Sequence, residues 1–111
     1  MKAMQNVIGL PILPPIFSLG FHYSKWEKEI TASKLAEWNY EFTRFKFPVD
    51  SFWLDISHTP NYQYFSFDPV KFPTQVFDIA KAKIAEAGRQ IVVITDPHLS
   101  VDPSYLVYHK M

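Results

Sequence analysis

The chain has 111 residues, and its 11 Lys plus Arg balance 11 Asp plus Glu, so its formal charge is zero. A chain of this length is one domain at most, well short of the roughly 250 residues of a complete β/α barrel. The neutral balance argues against a phosphate-neutralising nucleic-acid face and a polybasic membrane surface, and the absence of Cys excludes disulfides and thiolate metal sites. No run of about 18 apolar residues is present to span a membrane. Pro11, Pro14 and Pro15 interrupt the N-terminal apolar stretch, so no signal peptide is expected. Aromatic residues make up 17% of the chain, which predicts a well-filled core first and a sugar-stacking surface second.

Residues 1–15 read as a lead-in segment without a regular element. Ile16 to Phe21 reads as a first strand that Gly20 brings to its end, followed by a loop with His22, Tyr23, Lys25 and Trp26. Residues 31–46 read as a helix, because Leu35, Trp38, Phe42 and Phe45 recur at three- and four-residue steps. Thr31 or Ser33 can cap its start and Pro48 stops it. Ser51 to Ile56 is an apolar run suited to a buried strand.

The connection from Ser57 to Pro73 is long for a βα loop and rich in aromatic residues, and such loops tend to be functional. Tyr64 to Pro69 adds a short extended piece. A second helix is predicted over 74–87, with Thr74 as its N-cap, Asp78 near its first turn, and Val76, Phe77, Ile79, Ala80 and Ile84 as its packing face. Gly88 ends it. Ile91 to Thr95 is β-branched throughout and reads as a third strand, and the tail 99–111 is loop followed by the start of another element.

The fold class is therefore α/β, a β-α-β-α-β segment with a parallel sheet and right-handed crossovers. With three Gly and no glycine-rich phosphate fingerprint, nucleotide-binding folds are disfavoured. Two strands end in a carboxylate, in Phe52-Trp53-Leu54-Asp55-Ile56-Ser57-His58-Thr59 and in Ile91-Val92-Val93-Ile94-Thr95-Asp96-Pro97-His98. In a parallel sheet both carboxylates reach one rim on neighbouring strands. They suit acid/base work, glycosidic chemistry or hydrogen bonding to sugar hydroxyls; each also suits the plain task of capping the turn after its strand. His22, His58 and His98 fall near the same rim, but their spacing, like that of His109, matches no compact metal-ligand motif, and structural roles are favoured over a metal site. Trp26, in a loop, is a candidate sugar-stacking residue.

These residues resemble a known family. Pro14-Pro15-Ile16-Phe17-Ser18-Leu19-Gly20-Phe21-His22 with Trp26 is similar to the opening of the catalytic barrel of glycoside hydrolase family 31. Trp53-Leu54-Asp55-Ile56-Ser57-His58-Thr59, then Tyr64-Phe65-Ser66-Phe67-Asp68-Pro69 and Phe72-Pro73, resembles its second strand and following loop, and Asp96-Pro97-His98 the end of its third. The Leu-Asp-Ile-x-His-Thr form points to the eukaryotic glucosidase II and neutral α-glucosidase branch.

The resemblance implies the first three strands of a (β/α)8 barrel and retaining hydrolysis of α-glucosidic bonds. It assigns Asp55 to the hydroxyls of the bound sugar, Ile56 and Ile94 to the lining of that subsite, Asp96 to its support, and Trp26 to the mouth of the pocket. It calls for no metal and no cofactor, and for a carbohydrate partner, an α-glucoside or the glucose of an N-glycan. For a glucosidase II-like protein it implies the endoplasmic reticulum lumen.

The chain also departs from the family. The nucleophilic Asp sits in a Trp-x-Asp-Met/Phe-Asn-Glu type motif on the fourth strand, and neither that motif nor the later acid/base Asp is present. The residues Phe21-His22-Tyr23-Ser24-Lys25-Trp26 replace the usual Tyr-His-Gln-x-x-Trp, so the Gln is lost. The expectation is a barrel fragment that carries part of a sugar subsite and no catalytic pair, poorly stable alone and completed by the remainder of the barrel or a partner chain. The alternatives are a stand-alone carbohydrate-binding or interaction module, and an unrelated small α/β enzyme that uses Asp55 and Asp96 as acid and base.

Overall fold

The computed structural model describes residues 2–26 and 28–110. Its elements in chain order are α1 (Lys2–Ile8), β1 (His22–Ser24), α2 (Ala32–Arg44), β2 (Ser51–Leu54), α3 (Thr74–Glu86), β3 (Gln90–Val93) and α4 (Leu106–His109). The three strands form one sheet in the order β1-β2-β3, and both pairs are parallel. The register places Ser24, Trp53 and Val92 in one row, and Tyr23, Phe52 and Ile91 in the next.

Because the strands step in one direction and such crossovers share one hand, both connecting helices lie on the same face of the sheet. The Asn39 side chain of α2 donates to the Lys83 carbonyl of α3 at 3.3 Å. The core forms between this helical layer and the sheet. Phe52 and Leu54 point into it from β2, Leu35 and Trp38 from α2, Phe77 and Ile84 from α3, all buried. Tyr23 sits edge-on to Trp38 with ring centres 5.0 Å apart, and Phe42 lies 5.7 Å from Phe52. Trp38, Phe52, Phe72 and Phe77 belong to this core and Tyr23 and Phe42 pack against it, whereas other rings, among them Trp26, Phe45, Phe47 and Phe65, are exposed. Alternation along the strands leaves His22, Trp53 and Val92 on the opposite face, away from α2 and α3. One covered and one bare face is the geometry of a barrel segment, whose helices ring the outside.

The first strand differs from its sequence-based placement. Ile16–Leu19 is a 3-10 turn, and the strand begins at His22. Pro15 starts the turn and accepts from the Ser18 N–H and hydroxyl through its carbonyl. Extended pairing begins only where β2 offers partners: the Asp50 carboxylate accepts the Phe21 N–H at 2.8 Å, and the Asp50 N–H returns to the Phe21 carbonyl at 2.8 Å. Gly20 stands before the strand rather than at its end. A Cβ there would fall 2.1 Å from the Asp50 carboxylate oxygen, so glycine is needed for the close approach.

Other boundaries shift for local reasons. The lead-in segment contains the short helix α1. Helix α2 is capped by Thr31, whose hydroxyl accepts from the Lys34 N–H, and it ends at Arg44, before Pro48. Lys46 takes a left-handed φ of 52°, and Phe47 N–H reaches back to the Phe42 carbonyl at 2.9 Å. The same ending closes α3, where Gly88 has φ of 73° and Arg89 N–H bonds the Ile84 carbonyl at 3.0 Å. Thr74 is the first helical residue of α3 rather than its cap, which is Pro73. Asp78 lies beyond the first turn and pairs with Lys81. Phe45, Val76 and Ile79, expected to pack, are exposed, because the buried stripes of the two helices are narrower than the apolar ones. Residues 64–69 form no strand: Tyr64 and Phe65 lie in a turn, and Phe65 is left-handed at φ of 64°.

Candidate functional site

The strand β2 ends at Leu54, and Asp55 follows immediately at the C-terminal end of the sheet. Its Oδ1 accepts the Ile56 N–H at 2.7 Å, which opens a 3-10 turn over Ile56–His58. One carboxylate oxygen therefore does the plain capping work, and Asp55 is only half-buried. Behind it, His58 is buried at 3% exposure and its Nδ1 lies 2.7 Å from the Asp55 carbonyl. A carbonyl only accepts, so Nδ1 carries the proton. This bond clamps the backbone on which the Asp55 side chain is mounted. Burial holds the His58 imidazole below the ordinary histidine range; its bond to the Asp55 backbone and the Asp55 charge act in the opposite direction.

The long loop after Asp55 is well packed. Asp68 N–H bonds the His58 carbonyl at 2.9 Å and closes it. Asp68 Oδ1 accepts from the Val70 and Lys71 N–H groups, and the Lys71 ammonium donates to the Ser57 carbonyl at 3.3 Å. Phe67 lies between His58 and Phe77 with tilted rings, centres 5.0 Å and 4.8 Å away.

Asp96 lies just past β3 on the same rim. Its Oδ2 accepts the Tyr64 hydroxyl at 2.5 Å, which bridges the loop after β2 to the end of β3. Ile56 is the first residue of the turn after Asp55, and Ile94 follows β3 with its N–H on the Leu54 carbonyl at 3.2 Å. Trp26 is in a loop and 54% exposed. Asp55, Ile56, Ile94 and Asp96 therefore all stand at the C-terminal ends of adjacent strands. The histidines do not converge, and among the described residues no group of three or more His, Asp or Glu could hold a metal ion. His22 lies within β1 rather than after a strand, and His98 packs edge-on against Tyr64 at 5.8 Å. Among the described residues no helix is long and apolar enough to cross a membrane.

Tyr64 and Tyr105 are parts of this rim that the sequence does not single out, and His22, expected near it, stands instead at the start of β1 opposite Ser51. One signal was available for Tyr64: it is a tyrosine beside Phe65, Phe67 and Phe72, and a buried phenol needs a partner. The partner itself, 32 residues away, had no local trace.

The family described as Glycosyl hydrolases family 31 TIM-barrel domain matches residues 11–111. Neutral alpha-glucosidase AB of Sus scrofa is 39% identical over 110 residues, 99% of this chain and 11% of that protein. Neutral alpha-glucosidase C of Macaca fascicularis is 36% identical over 111 residues, 98% of this chain and 14% of that protein. The chain thus spans only a small part of the length of these relatives. Among solved structures, the DNJ-bound glucosidase II alpha subunit superposes with a TM-score of 0.77 at 29% identity, over 85% of this chain and 10% of that one. The motifs, the three parallel strands with helices on one face and the matched residues agree: the chain belongs to glycosyl hydrolases family 31, within its TIM-barrel domain.

Proposed function

We propose that residues 1–111 form one part of the sugar-binding rim of a family 31 retaining α-glucosidase, contributing substrate contacts while the catalytic pair lies outside this sequence. The observation that carries this reading is the position of Asp55 and Asp96 after neighbouring parallel strands, the end at which such barrels bind ligands. Asp55 hydrogen-bonds the hydroxyls of an α-glucoside or of the glucose of an N-glycan. Ile56 and Ile94 line the subsite, Asp96 supports it, and Trp26 stands at its mouth. The solved neighbours support a carbohydrate ligand: the glucosidase II alpha subunit is DNJ-bound in one structure and Glc1Man2-bound in another.

The sheet is completed by the remainder of a barrel or by a partner chain. β1 and β3 each pair on one side only among the described residues. Beside β1, an apolar groove of about 460 Å³ is lined by rings such as Phe21, Phe45 and Phe47, all exposed. Open edges and bare apolar surface favour association.

Titration of the 111-residue chain with DNJ tests the reading. Saturable binding that Asp55→Ala abolishes is expected. Turnover of an aryl α-glucoside by this chain alone would overturn it and favour a self-contained enzyme with Asp55 and Asp96 as acid and base.

A further inference from the structure

The segment 95–105 contains no helix or strand, yet it continues the rim beyond β3. Its internal bonds lie within 100–105: Tyr105 N–H meets the Asp102 carbonyl at 2.9 Å, Asp102 N–H meets Ser100 Oγ at 3.3 Å, and Ser104 N–H and hydroxyl donate to Asp102 Oδ1. Among the described residues, its side-chain hydrogen bonds to the rest of the molecule converge on two adjacent residues of the loop after β2. Tyr64 donates its hydroxyl to Asp96 Oδ2 at 2.5 Å. Tyr105, also buried, donates its hydroxyl to the Tyr64 carbonyl at 2.6 Å. Gln63 Nε2 donates to Asp102 Oδ2 at 3.1 Å.

Tyr64 is only 2% exposed. A phenylalanine would fill that space with the same ring, so packing does not account for the hydroxyl. The phenol is tolerated there because Asp96 satisfies it, and Asp96, exposed on an irregular segment, has this bond to fix its side chain. Burial and the bond to Asp96 hold the phenol above the usual tyrosine range, so it remains a donor at neutral pH.

We propose that Tyr64 is a positioning residue of the rim: its hydroxyl orients the Asp96 carboxylate and, with Tyr105 held on its carbonyl, it fastens segment 95–105 to the loop after β2. The consequence for ligand affinity rests on the sugar-site reading above, whereas the fastening does not.

The experiment is ¹⁵N relaxation of the full chain and of Tyr64→Phe, Tyr105→Phe and Asp96→Ala, with DNJ titrations alongside. In the unaltered chain, backbone order parameters over 95–105 are expected near the rigid value of about 0.85; in each variant they fall below about 0.6 there and stay unchanged in α2 and α3. The double variant Tyr64→Phe/Asp96→Ala loosens the segment no further than either single change, as expected for two ends of one bond. Tyr64→Phe weakens DNJ binding about tenfold or more, the scale of one lost charge-assisted hydrogen bond. The proposal is overturned if 95–105 is as ordered in Tyr64→Phe as in the unaltered chain, if order is lost equally across α2 and α3, or if a chain that binds DNJ does so equally well without the hydroxyl. A chain that binds no DNJ overturns the sugar-site reading instead, and the relaxation data then decide on Tyr64.

Discussion

The indole N–H of Trp53 donates to His22 Nδ1 at 2.8 Å, linking β2 to β1 across the bare face of the sheet. The imidazole is used on both sides, since Nε2 lies 3.1 Å from the Phe17 carbonyl. An indole only donates and a carbonyl only accepts, so Nδ1 is unprotonated and Nε2 carries the hydrogen. Trp53 stands two residues before Asp55 on the same face, which makes this pair the foundation beneath the rim.

Replacement of His22 by Phe should therefore leave the half-buried Trp53 N–H unpaired. A loss of about 1–3 kcal/mol is expected from urea unfolding, with an upfield move of the Trp53 indole ¹H resonance. An unmoved indole resonance would sink the assignment.

His58 predicts an acid-side loss of stability. Burial lowers its folded-state pKa below the unfolded value of 6.5, so the unfolded chain takes up the proton first as pH falls. Its contribution is complete above pH 6.5 and is lost as pH drops from there through the folded value. The urea midpoint should fall between pH 7.5 and pH 5, and His58→Gln should flatten that slope. A slope unaltered by the substitution would remove His58 as its source.

Lys46 occupies the left-handed position that ends α2, while Gly88 fills the same position after α3. The Phe42–Phe47 ring contact at 5.5 Å supplies the apolar closure that accompanies such an ending. Lys46→Gly should relieve backbone strain and stabilise the chain by about 0.5–1 kcal/mol, and Gly88→Ala should destabilise it by about 1 kcal/mol. Thermal unfolding of both variants reads the two opposite signs.

Arg89 joins the two layers at the end of the sheet away from Asp55. Its Nη1 donates to the Asn39 carbonyl at 2.9 Å, to Asn39 Oδ1 at 2.6 Å and to Thr43 Oγ1 at 2.7 Å, and its Nε to the Val49 carbonyl at 3.3 Å. Arg89→Met should cost about 2–4 kcal/mol of stability, with a coupling to Asn39→Ala of about 1–2 kcal/mol in a double-mutant cycle. Ligand affinity of the folded variant should be unchanged, since residues at strand starts serve stability. A drop in affinity without a drop in stability would contradict this division.

The sequence by itself determined the two long helices, the second and third strands, the α/β class, the parallel sheet and the rim on which Asp55 and Asp96 stand. These follow from local patterns: helical spacing at Leu35 and Trp38, β-branched runs at Ile91 to Thr95, and a left-handed glycine at 88. The family was legible too, in the blocks around Asp55 and Asp96. Only the tertiary structure decided where the first strand begins, which apolar helix residues are buried, and how the rim is held. The start of β1 depends on the Asp50 carboxylate 29 residues away, and the hold on Asp96 on a phenol 32 residues away. Side-chain hydrogen bonds between segments so distant leave no periodicity in the chain, because they depend on which elements the packed core brings side by side.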